Sequence, residues 1–181
     1  MCTFETDRLV IRRFRPEDWK DLYEYLSDEK VVKYEPYDVF DEEACKLEAE
    51  NRSKNGAFWA VSLKESGKVI GNVYFQQQEP TDFMTWEIGY VFNSGYYGKG
   101  YAAESCRKLI DYGFVEKNAR RIIAMCNPQN SPSWKLLERL GMRREGHLLK
   151  NIYFKKDELG NPIWTDTYEY AILAEEWLSK A

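Results

Sequence analysis

The sequence is short of the residues from which metal and covalent sites are built. It has one histidine, His147, and four cysteines (Cys2, Cys45, Cys106, Cys126) that form no C-x-x-C pair. No zinc constellation can be assembled from that pattern, and no metal is expected. Cys106 and Cys126 fall inside apolar patterns, where a thiol packs as a small hydrophobe. A nucleophilic cysteine wants a neighbouring base, and the sequence supplies none for Cys126. No apolar run approaches a membrane span, and MCTFETDRL lacks the charged-then-apolar pattern of a secretory leader. A soluble, cytoplasmic protein without membrane contact is therefore expected, and in that compartment a structural disulfide is not. A basic surplus is missing too: net charge is −4 and the pI about 5.3, which argues against nucleic acid as a partner. Repeats, low-complexity tracts and linkers are also absent, so residues 1–181 read as a single domain.

What is present is a well-mixed chain, 44% hydrophobic and 31% charged, able to bury one sizeable core. Phe4 to Phe14 alternates Leu9 and Ile11 against Val10 and Arg12, which predicts a strand. Pro16 opens a helix with Trp19, Leu22, Tyr23 and Leu26 on one stripe. KVVKYEPYDVF reads as irregular, and Asp41 caps a second helix running to about Lys54. Strands follow at Phe58 to Leu63 and Val69 to Gln77, where Gly71 marks a bulge or a close approach. After a turn at Glu79 to Phe83 come a strand (Met84 to Phe92), a long helix (Tyr101 to Phe114) and a strand (Arg121 to Cys126). A turn and helix in NPQNSPSWKLLERLGM and two strands, Met142 to Lys155 and Ile163 to Leu173, complete the chain.

The stretch MTWEIGYVFNSGYYGKGYAAESCRKL, from Met84 to Leu109, is the chemical centre of this pattern. Gly95, Gly98 and Gly100 form a glycine-rich turn between a strand and a helix start. Such a turn presents unpaired backbone N–H groups at the positive end of the helix dipole, a ready site for phosphate or pyrophosphate. Lys99 can add a point charge at its rim. A nucleotide-hydrolase loop needs Ser or Thr after the lysine, but Gly100 stands there; a dinucleotide fingerprint spaces its glycines in the reverse order.

YYGKGYAAES resembles the acyl-CoA-binding signature [Q/R]-x-x-G-x-[G/A] of the GNAT N-acyltransferases, in the form found in the branch that acetylates ribosomal-protein N-termini. Two further segments carry the likeness: the opening T-x-R-L-x-[IL]-R, and Asn130-x-x-Ser133-x-x-Leu136-Leu137-x-x-x-Gly141-Met142, similar to N-x-x-[AS]-x-x-L-Y-x-x-x-G-F. The resemblance runs from about Phe4 to Trp177. It departs at Gly95, where the family has Gln or Arg, and at Leu137, where it has a tyrosine that protonates the thiolate.

The resemblance implies an α/β fold, with a mixed, mostly antiparallel twisted sheet of about seven strands flanked by about four helices. It implies acetyl-CoA as cosubstrate, without metal, and direct transfer to an amine in a ternary complex. The amides of Gly98, Lys99, Gly100, Tyr101 and Ala102 would hold the pyrophosphate, compensating for Gly95. A backbone N–H within Tyr90, Val91 and Phe92, splayed by a bulge, would polarise the carbonyl. Glu87 matches the general base; it is otherwise a structural glutamate bonded to Trp164 or a tyrosine. Asn130 would contact the CoA arm, and Ser133 would either protonate the thiolate or merely cap a helix. Tyr34, Tyr37 and Trp86 are the substrate-contact candidates; with Glu35 and Phe40, Tyr34 and Tyr37 either line the acceptor pocket or pack as an aromatic cluster. The acceptor is a protein N-terminal α-amine or a small amine of the polyamine or aminoglycoside kind, and a CoA-binding sensor without turnover is the rival of another class. Aromatics in the C-terminal segment are compatible with a homodimer.

Overall fold

Leu9 and Ile11 are fully buried, as their alternation requires. A computed structural model describes residues 2–179, and it divides the single strand expected from Phe4 to Phe14 into β1 (Phe4–Glu5) and β2 (Leu9–Arg13), paired antiparallel. The break is a turn closed by Thr6 N–H donating to Leu9 O at 3.0 Å. Its side chains are tied to a distant helix: Thr6 Oγ1 donates to Glu104, and Arg8 Nε donates to the same carboxylate at 2.8 Å.

The helices α1 (Trp19–Leu26), α2 (Glu29–Val32) and α3 (Glu42–Lys54) follow. Asp41 caps α3 as expected, its Oδ1 accepting from Ala44 N–H at 2.8 Å. Short α2, inside the segment expected to be irregular, starts at a similar cap, Asp28 accepting from Lys30 N–H. Then come β3 (Phe58–Leu63), β4 (Val69–Gln77), β5 (Thr85–Phe92), α4 (Tyr101–Val115), β6 (Arg121–Cys126) and α5 (Ser131–Arg139). The final hairpin is β7 (Arg143–Ile152) and β8 (Thr165–Leu173), shorter than expected at its turn, and α6 (Ala174–Leu178) closes the described chain.

The strands form one sheet in the order β1-β2-β3-β4-β5-β6-β8-β7. Every neighbouring pair is antiparallel except β5 and β6, which are parallel. The α4 crossover supplies the connection that parallel strands require. This is the mixed, mostly antiparallel architecture expected, with additions from the split first strand and from α2 and α6. One face carries α4 and α5, burying Leu109, Ile110 and Leu137 against Ile88 and Ile122. The other carries α1 to α3, with Leu22, Tyr25, Cys45 and Ala49 against Ala60 and Val91.

Gly71 combines both expected roles. Opposite it the β3–β4 register shifts between Val61 and Ser62, and a Cβ at Gly71 would lie 2.4 Å from Phe92 Cδ1 and 2.7 Å from Val91 O. Because one of those atoms is backbone, the neighbour cannot swing aside. Gly71→Ala is expected to cost about 1–3 kcal/mol by overpacking, read as a lower urea midpoint with an unchanged m-value.

Candidate active site

In an antiparallel pair, alternate residues turn their backbone polar groups to opposite edges. Asn93 N–H donates to Ile70 O (2.9 Å) and Gln78 N–H to Thr85 O (2.8 Å), so odd positions of β5 face β4. The even positions Ile88, Tyr90 and Phe92 therefore face β6, as does Met84, whose O accepts from Arg120 N–H at 2.9 Å. Yet the β5–β6 ladder ends at Glu87↔Ile123, although the strands continue to Phe92 and Cys126. The strands splay, and the edge amides of Tyr90 and Phe92 are left facing the gap. The bulge expected within Tyr90 to Phe92 is corrected: the β4–β5 register is unbroken through Phe92, and the register shift lies between β3 and β4. Splaying replaces bulging as the source of free amides, and Val91 turns its own N–H back to β4.

The glycine-rich turn lies just beyond the C-terminal end of β5. Gly98 (φ +75°) and Gly100 (φ +83°) are left-handed, a conformation that costs glycine little. Among the described residues, none of the N–H groups from Gly98 to Ala103 meets an acceptor. A Cβ at Gly98 would find nothing within 4 Å. Unpaired donors around open space at a helix N-terminus fit a pyrophosphate. Gly95 has a different role: its N–H is taken by Asn93 Oδ1 at 3.0 Å, inside the turn. The Lys99 ammonium sits over the Tyr96 ring, 5.3 Å from its centroid.

Arg8 holds this turn in place. Its NH1 donates to Lys99 O at 3.0 Å, its guanidinium lies 4.5 Å from the Tyr101 ring centroid, and it pairs with Glu104. Against a burial penalty, hydrogen bonds from Thr6 and Arg8 keep the Glu104 carboxyl below its ordinary range. The T-x-R-L opening contained this residue, but only the fold reveals its contact with the turn.

On the far side of the gap, Asn130 is the N-cap of α5, its Oδ1 accepting from Ser133 N–H at 3.4 Å. Ser133 is thus not the cap. Its Oγ lies 3.1 Å from Tyr90 Oη, which also donates to Ser133 O at 2.9 Å. Burial raises the Tyr90 phenol above its ordinary range, so it stays protonated. The sequence named Tyr90 for its backbone; its side chain is the part it missed. Leu137, at the family tyrosine position, is 1% exposed and belongs to the core.

Glu87 points to the α1–α3 face, opposite to Ile88 and Tyr90. Among the described residues no side chain or N–H hydrogen-bonds or pairs with its carboxylate, so the bond to Trp164 or a tyrosine is not found. Burial alone raises its pKa. Trp86 is corrected as a substrate contact: strand alternation places it on the α4 face, stacked on Phe75 at 4.9 Å between centroids. On the Glu87 face, Tyr34 Oη donates to Gln129 O (3.3 Å) and Lys155 pairs with Asp38 (2.7 Å), tying the segment after α2 to the turn before α5 and to the C-terminal hairpin. Tyr37 packs on Phe40, and Glu35 and Arg52 lie near it. Burial lifts the Glu35 carboxyl to about 7, against the opposing pull of Arg52 and Tyr37. Burial likewise lifts the Cys126 thiol to about 11, Arg144 opposing, while His147 is held by Asp166 at 2.8 Å. That leaves Cys126 without the features of a nucleophile.

Residues 8–143 match the family model described as an acetyltransferase (GNAT) domain. The chain is 43% identical to the uncharacterized N-acetyltransferase YnaD of Bacillus subtilis (strain 168), covering 95% of this chain and 97% of that one. A crystal structure of a GNAT-family acetyltransferase from Bacillus anthracis superposes with a TM-score of 0.87 at 39% identity, over 97% of this chain and 100% of that one. The [ribosomal protein uS5]-alanine N-acetyltransferase of Escherichia coli (strain K12) is 26% identical, over 95% of this chain and 91% of its own.

Proposed function

The chain belongs to the GNAT family of acetyltransferases, whose cosubstrate is acetyl-CoA, and on that premise we propose that it acetylates the α-amine at a protein or peptide N-terminus. The observation that carries the reading is the gap between β5 and β6. It has the free amides of Gly98 to Ala103 beyond the end of β5, an unpartnered carboxylate on one strand face and the Tyr90–Ser133 hydroxyl pair reaching across the other.

The donors from Gly98 to Ala103 bind the pyrophosphate, and the Asn130 side chain takes up the arm that follows. The amide of Tyr90 or Phe92 polarises the thioester carbonyl and stabilises the negative charge that develops on its oxygen. Glu87 accepts the amine proton, directly or through a water. Ser133 Oγ donates a proton to the departing thiolate sulfur, held in place by the Tyr90 hydroxyl beside it.

The α-amine is favoured on proton affinity. Its pKa is about 8, against about 10.4 for a lysine-like alkylamine, so a desolvated carboxylate of raised pKa is well matched to it. The E. coli relative named as a [ribosomal protein uS5]-alanine N-acetyltransferase supports the same acceptor. A small polycation is the second reading, favoured by Glu35 and Glu87 on one face of the sheet. A panel of alanine- and serine-initiated peptides, their N-blocked forms, spermidine and an aminoglycoside separates the two. Acetyl-CoA-dependent thiol release should be at least tenfold faster in kcat/KM with free-N-terminal peptides. Turnover confined to the polyamine or aminoglycoside overturns the acceptor; acetyl-CoA binding without turnover on any amine overturns the catalytic reading.

A further inference from the structure

A second cavity opens at the other end of the sheet, with a volume of about 450 Å³; Trp59, Phe75, Trp86 and Tyr112 form its floor, and polar side chains such as Arg13, Gln77 and Lys117 form its rim. It lies beyond the C-terminal half of α4. The free amides occupy the N-terminus of that helix, so the two are separated by roughly 20 Å at 1.5 Å per residue. Nothing in acetyl transfer uses this cavity.

Its polar groups are unbalanced. Trp59 and Trp86 both line it, and both indole N–H groups are buried without an acceptor. Buried donors are ordinarily satisfied. Arg13 lies against the Trp59 ring, 3.5 Å from its centroid, and donates through NH1 to Gly56 O. Lys117 rests over Tyr112 at 5.5 Å. Among the described residues neither cation has a carboxylate partner. Glu79 is the one acid in the lining, and its Oε2 already accepts from Thr81 N–H at 3.1 Å. Burial lowers the Arg13 pKa, with only weak opposing attractions from Tyr112 and Cys2, as expected of a guanidinium that lacks an anion.

We propose that this cavity is a second ligand site, taking a small carboxylate with a flat aromatic body. The half-buried rings of Trp86 and Tyr112 supply apolar surface for such a body. The remaining Arg13 N–H groups form a fork that matches a carboxylate, with Lys117 as a second positive charge. A cation would meet two like charges there, and a neutral ring would leave the guanidinium unpaired. The volume lies within the range of small-molecule pockets, about 300–1,000 Å³.

Nitrogen-15 labelling of the six tryptophans gives separate indole N–H resonances, assigned for this pocket by Trp59→Phe and Trp86→Phe. Titration with 2-naphthoate and indole-3-carboxylate should shift the Trp59 and Trp86 resonances saturably. The neutral 2-naphthamide and the Arg13→Gln protein should each bind at least tenfold more weakly, and saturating acetyl-CoA should not displace the ligand. Arg13→Gln should leave acetyl-CoA binding unchanged by calorimetry, which also reports that it is folded. The proposal is overturned if neither carboxylate shifts the two resonances, if the amide binds equally well, if Arg13→Gln has no effect, or if acetyl-CoA competes. The proposed acetylation stands or falls separately.

Discussion

Gly98→Val is expected to weaken acetyl-CoA binding at least about 100-fold, the largest effect of any single substitution in the turn. Two costs combine. Valine is forced to a φ of +75°, and a β-branched side chain in the left-handed region costs about 1–3 kcal/mol. Its methyl groups also fill open space, since nothing lies within 4 Å of the Cβ position, and that is the space a pyrophosphate must enter to reach the amides. Gly67 offers a matched control. It too has positive φ (+71°) and open surroundings, but lies in the β3–β4 turn. Gly67→Val should lose comparable stability and keep acetyl-CoA affinity. Calorimetric titration of both proteins decides the matter: equal affinity in the two variants would mean that the turn is not the pyrophosphate site.

Glu87→Gln should lower kcat by about 100-fold or more, the usual scale for loss of a general base, with acetyl-CoA affinity unchanged. The base must be ionised to take the amine proton, so activity falls as pH drops through the Glu87 pKa. Burial raises that pKa above the ordinary carboxylate range, and the acid limb should disappear in the variant. Stability moves the other way. The native carboxyl keeps its proton to higher pH than the unfolded chain, so its contribution is most favourable below the unfolded pKa and is lost as pH rises through the folded value. At neutral pH a glutamine removes that penalty, and the thermal midpoint should be equal or higher. A variant slow only because it is damaged would melt lower; one with normal kcat and an intact acid limb would remove Glu87 from the mechanism.

The parts of this protein set by neighbours in sequence were readable, and those set by distant contacts were not. Turn glycines followed by apolar residues at three- and four-residue steps announce α4 without any tertiary knowledge. The break at Thr6 to Arg8 left no such trace: Leu9 and Ile11 continue the alternation, and the turn is tied down by Glu104, almost a hundred positions away. Alternation also contained a correction that resemblance obscured. If Glu87 turns away from Ile88 and Tyr90, Trp86 must turn away from Glu87, so the two cannot line one acceptor face. Ser133 was visible as a hydroxyl at a helix start, but Tyr90 Oη beside it depends on α5 docking across β5. The splay at Glu87↔Ile123 belongs to two strands at once and has no signature in either.

That splay also bears on the order in which the molecule comes together. Each strand from β1 to β5 lies beside its predecessor, so the N-terminal half is a meander, interrupted between β2 and β3 by α1 to α3. β6 joins it through only three residue pairs, and its other neighbour is β8, about forty residues later in the chain. The two halves meet along the cleft, joined across the α4 crossover. With three residue pairs the seam has few contacts to contribute to the folding transition state, and substitutions within it are expected to act mainly on the rate of unfolding. The proposed site is thereby placed where the sheet has the fewest pairs to lose, and the cleft can change while the ladders on either side of it stay intact.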